Sequence, residues 1–146
     1  MLFYKWRFTI LLCCLFTVFS LSDSVTAEVV VVVNSSAKIA TATPEQVANI
    51  FLGKSNKLSG DFKVVPVDQE EGELPRDEFY KTIVKKDASQ LNAYWSRLIF
   101  TGKGQPPKVV LDDDEVIELV GSNPEAIGYV SSDAVDTSVK VILTVD

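Results

Sequence analysis

The sequence predicts an α/β fold, a single three-layer domain in which a mixed, mostly parallel sheet is flanked by helices. Three observations lead there. Val29 to Val33 is a run of five valines with no polar alternation, the pattern of a strand buried on both faces, and it should be central. Strand-like and helix-like segments then alternate to the end of the chain. The length allows one domain with one core.

The first segment stands apart from that domain. Lys5 and Arg7 precede Phe8 to Leu21, an uncharged run of about 14 residues, and Ser22-Asp23-Ser24 follows. This is the order of a secretory signal peptide, and Val25-Thr26-Ala27 offers small residues for cleavage after Ala27. An uncleaved membrane anchor is the alternative, but the run falls short of the roughly 20 residues that cross a bilayer. The division is therefore residues 1–27 as signal peptide and 28–146 as the exported, periplasmic or secreted domain, with no membrane span after cleavage.

Both cysteines, Cys13 and Cys14, lie in the leader, and Leu12 before them argues against a lipoprotein. Removing Lys5, Arg7 and Asp23 with it leaves 12 basic and 19 acidic residues in 119, a net charge of −7. That balance argues against nucleic acid or anionic lipid as partners.

Within the domain, Thr43-Pro44-Glu45-Gln46 is a capping box with proline at the first helical position, and Gly53 ends the helix it opens. Lys63 to Val67 is a short strand that runs into the loop Asp68 to Arg76, before a second helix through about Lys85. A third helix spans Ser89 to Phe100, with Leu91, Tyr94, Trp95, Leu98 and Ile99 at core spacing. Thr101 to Pro107 is a loop. Asp112 to Glu115 place carboxylates where a fourth helix begins, with Val116, Ile117, Leu119 and Val120 on its buried side and Gly121 to Pro124 as its stop. Ala126 to Val130 and Val139 to Val145 are the last strands.

Chemistry is constrained by what the residues lack. There is no histidine, and residues 28–146 hold no cysteine, so imidazole bases, thiolate nucleophiles and their usual metal sites are excluded. No pair of carboxylates is singled out for acid and base work. The domain is expected to be non-enzymatic and to use no cofactor. Gly53-Lys54-Ser55 lacks the upstream glycine of a phosphate loop, since Ala48 stands there, and is a helix end. Gly102-Lys103-Gly104 is plain loop, or a contact for a partner. Asp112 to Glu115 suit helix capping better than calcium, and the glycosylation pattern Asn34-Ser35-Ser36 is incidental.

Three segments taken in order, Val30 to Asn34, Thr43 to Lys54 and Asn123 to Val130, resemble the substrate-binding proteins of bacterial phosphate ABC importers. Tyr94 to Pro107 resembles a short, single-domain branch of that superfamily. The resemblance implies one lobe of the type II periplasmic binding protein fold, the second lobe of a two-lobed anion trap, and a partner that is inorganic phosphate or another small anion. In the family an arginine and then a Gly-Ser-Gly-Thr-Arg turn hold phosphate at a helix start. Set on that pattern, Gly72 and Arg76 match, Gln69 replaces the first arginine, and Glu73, Leu74 and Pro75 replace serine, glycine and threonine. A weak anion site centred on Gln69, Gly72 and Arg76 is implied, with Arg76 otherwise pairing with Glu73 or Asp77. The rival expectation is a cell-envelope module that kept the fold, lost the ligand and binds a protein partner.

Overall fold

The computed structural model describes residues 28–146, so the expected signal peptide lies outside the described residues. Five strands and four helices follow in order: β1 Val29–Asn34, α1 Pro44–Phe51, β2 Val65–Gln69, α2 Leu74–Phe79, α3 Ala88–Phe100, β3 Lys108–Val110, α4 Asp113–Ser122, β4 Ala126–Ser131 and β5 Val139–Val145. A π-helical turn, Tyr80–Val84, continues α2, and a 3₁₀ turn, Ser132–Ala134, follows β4.

The strands form one mixed sheet in the order β3-β2-β4-β1-β5. β2 is parallel to β3 and β4, while β1 is antiparallel to β4 and β5. The sheet is thus evenly divided between the two pairings, where mostly parallel pairing was expected. The valine strand is interior, with all six residues buried, and β4 takes the middle position.

The valine run works because side chains alternate across a strand. Val29, Val31 and Val33 face one core with Val47, Ile50, Phe51, Phe79, Leu91 and Trp95 of α1 to α3. Val30 and Val32 face the other, against Val116, Ile117 and Val120 of α4. At about 1.5–3 kcal/mol for each large apolar side chain buried, these two faces are the main force holding the layers together. α4 packs closely on β4, because a Cβ added at Gly128 would lie 2.6 Å from Val116 Cγ1.

Local signals behave as chemistry dictates at most helix ends. Thr43 accepts from Gln46 N and the Gln46 side chain accepts from Thr43 N, closing the capping box. Asp112 accepts from Glu115 N, so this acidic run caps α4. Asn34 is buried and donates to the carbonyls of Val120 and Gly121, so in the folded domain it is no accessible glycan acceptor.

Three expectations need correction. The second strand runs on to Gln69 instead of stopping at Val67, because the ladder to β3 continues through Asp68 and Gln69. β3 itself, three residues behind Pro106-Pro107, was not expected at all. Ile99 is 56% exposed and not core, since the buried stripe of α3 is Leu91 and Trp95 flanked by Tyr94 and Leu98. Among the described residues no helix is long and apolar enough to cross a membrane.

Candidate functional site

The site expected from sequence falls at the C-terminal end of β2, where the chain turns through Glu70 to Glu73 into α2. Extending β2 turns Asp68 and Gln69 into the interior, 3% and 0% exposed. A buried carboxylate needs partners, because desolvation penalises its charge. Asp68 has four. Tyr80 Oη donates to Oδ2 at 2.8 Å and Tyr129 Oη donates to Oδ1 in a short hydrogen bond. Gln69 N donates to Oδ1 at 2.9 Å, and Arg76 Nε lies 3.5 Å from the same oxygen.

An aromatic cluster aims the two phenols. The Tyr129 ring stacks on Phe79 at 4.2 Å between centroids, and Tyr80 meets Phe79 edge-on at 5.3 Å. Burial, and then the neighbouring Asp68 charge, hold both phenols protonated well above the usual tyrosine range. They remain hydrogen-bond donors across any physiological pH. The Arg76 guanidinium lies over the Tyr80 ring, 5.1 Å from its centroid.

Arg76 therefore pairs with Asp68, not with Glu73 or Asp77 as the surface reading had it. Its side chain is only 12% exposed, and 3.5 Å gives Nε a charge contact without a hydrogen bond. Gln69 is also placed differently from a ligand contact. Its Nε2 donates to Asp113 Oδ1 at 2.8 Å and to the Tyr129 carbonyl at 2.9 Å, so the amide braces β2 against β4 and α4. The other oxygen of Asp113 accepts from Ser131 N, and Gln69 Oε1 is buried without a partner. Gly72 is exposed at φ 98°, with nothing within 4 Å of where a Cβ would sit. That conformation suits glycine and leaves its backbone open to solvent.

Of the three expected residues, Gly72 lies at the exposed turn, Arg76 in the first turn of α2 against Asp68 and Tyr80, and Gln69 inside the sheet. Sequence reasoning missed Asp68, Tyr80, Tyr129 and Asp113. Asp68 reads as loop when the strand is ended at Val67, and no spacing joins it to Tyr129, 61 residues away. Chemically, the arrangement offers an arginine already shared with an internal carboxylate. Among the described residues no group of three or more histidine, cysteine, aspartate or glutamate side chains is arranged to hold a metal ion.

Neither a protein-family model nor a curated protein matches the chain. Solved structures do. A protein from Clostridium perfringens described as a phosphate ABC transporter substrate-binding protein, with bound phosphate, superposes with a TM-score of 0.62 at 23% identity, over 79% of this chain and 44% of that one. An ABC-type phosphate transport receptor from Vibrio cholerae gives 0.61 at 23% identity, over 79% and 45%. PstS from Borrelia burgdorferi gives 0.58 at 16% identity, over 79% and 46%. The chain thus spans less than half the length of each, and identities at this level speak for architecture alone. The described domain has the α/β fold of one lobe of a periplasmic binding protein.

Proposed function

We propose that this chain is an exported, non-enzymatic binding domain that takes a small inorganic anion, phosphate or sulfate, reversibly and weakly at the turn between β2 and α2. Gly72 supplies open backbone, Arg76 the cation, and Gln69 positions β2 from beneath. The observation that carries this reading is the placement of Arg76, a largely buried guanidinium at the end of a parallel strand in a fold shared with phosphate-binding proteins. Weakness follows from Asp68, which already shares the guanidinium, and from Glu70, Glu71 and Glu73, whose charges oppose an incoming anion.

The same carboxylate supports a second reading. With Asp68 serving as an internal anion for Arg76, the lobe is self-sufficient without ligand, as expected of an envelope module that binds a protein partner instead. Calorimetry separates the two. Heat on titrating phosphate or sulfate that disappears in Arg76→Gln supports anion binding, and no heat at millimolar anion supports the interaction module.

A further inference from the structure

A third of the cations of this acidic domain are gathered in one place. Four of the twelve in residues 28–146, Arg76, Lys81, Lys85 and Lys86, line one cavity of about 470 Å³ beside the π-helical turn and the start of α3. Asp77 and Asp87 stand at the same cavity, but Asp87 is used as the cap of α3, accepting from Gln90 N at 2.8 Å. The three lysines form no ion pair among the described residues, in a chain where acids outnumber bases. Beneath them the wall is apolar, formed by Tyr80 and Leu91, 4% and 2% exposed, together with Ala88.

Lys85 adds an independent observation. It closes the helix at φ 60° and ψ 38°, and it has the only positive φ outside glycine among the described residues. Glycine takes that position without steric cost, whereas lysine is strained there. Strain retained at a concave site points to a use for the side chain. A helix C-terminus favours cations in general. It explains neither the cavity nor lysine in place of glycine.

We propose that this cavity binds an amphipathic organic anion, its carboxylate, sulfonate or phosphate group against the lysine ammonium groups and its apolar body on Tyr80 and Leu91. A cavity of this volume is in the range that holds a small organic molecule. Inorganic phosphate would leave the apolar wall uncovered, so this ligand class differs from that of the Gly72 turn, and the two sites share Arg76 alone.

The test uses protein secreted from the full-length sequence and the fluorescent aryl sulfonate 8-anilinonaphthalene-1-sulfonate. Saturable enhancement is expected, displaced by decanoate but not by decyltrimethylammonium or inorganic phosphate at equal concentration. Lys85→Gly combined with Lys86→Gln should weaken dye affinity about tenfold, as expected for removing two charges from an apolar-backed site. Lys85→Gly relieves the positive φ, so the double variant should melt cooperatively at or above the wild-type temperature, which separates lost binding from lost folding. Gly72→Asp should abolish any phosphate heat and leave dye affinity unchanged, so the two sites fail separately. Unchanged dye affinity in the double lysine variant overturns the proposal, as does equal displacement by the decyl cation. Sedimentation with phosphatidylglycerol vesicles without displacement by free decanoate assigns the patch to a lipid surface and overturns a small-molecule pocket.

Discussion

Alkaline pH bears most directly on the buried network around Asp68. Burial and the Asp68 charge keep the Tyr80 and Tyr129 phenols protonated in the folded protein well above their usual range, whereas unfolded tyrosines ionise near pH 10. Above that pH the unfolded chain releases protons that the native state retains. Stability is therefore intact below about pH 10 and falls as pH rises beyond it. If both phenols stay protonated in the native state, each lowers stability by about 1.4 kcal/mol at pH 11 and by about 0.1 kcal/mol or less at pH 9. The pair together contributes a fall of about 2.7 kcal/mol across that interval. The assay is urea unfolding at pH 8, 9, 10 and 11, followed by the fluorescence of Trp95, the only tryptophan in residues 28–146 and 7% exposed. Tyr80→Phe leaves Asp68 one donor short, so it should start about 1–3 kcal/mol less stable at pH 8. It should then lose about 1.4 kcal/mol less than the wild type between pH 9 and 11. Lysine titration affects both proteins alike and drops out of the difference. Equal losses in the two proteins would refute the reasoning.

Gly128→Ala should destabilise by about 1–3 kcal/mol, because its methyl group meets Val116 at 2.6 Å; an unchanged urea midpoint would mean that α4 is free to shift. Arg76→Ala strips the charge partner from Asp68 but leaves both phenol donors, so a loss of about 2 kcal/mol is expected, rescued in part by pairing it with Asp68→Asn in a double-mutant cycle. Thr43→Ala opens the capping box of α1 and should cost about 1 kcal/mol in the same unfolding assay.

Much of the architecture was legible because its signals are local. The valine run, the Thr43 box, the Asp112 cap and the strand Val139–Val145 each depend on neighbours within four residues or on simple periodicity. The direction of pairing was not legible. β1 is antiparallel to both neighbours, and nothing within a run of five valines encodes which strand lies beside them. The three-residue β3 is too short for periodicity to register. At the site, Arg76 and Gly72 could be picked out by matching a turn pattern. What Arg76 does could not, since its partner Asp68 is polar and looked like the start of a loop. The phenols that justify burying Asp68 come from α2's extension and from β4. Gln69 shows the same limit, because an amide in a turn motif and an amide bracing two strands have one spelling.

Amide NMR during a titration with inorganic phosphate tests the anion-binding account at residue level. The account predicts saturable shifts at Gly72, Leu74 and Asp77, absent in Arg76→Gln while the rest of that variant's spectrum stays folded. Phosphate that reaches millimolar concentration without moving the Gly72 amide, or that moves exposed lysines such as Lys54 and Lys103 equally, would contradict it.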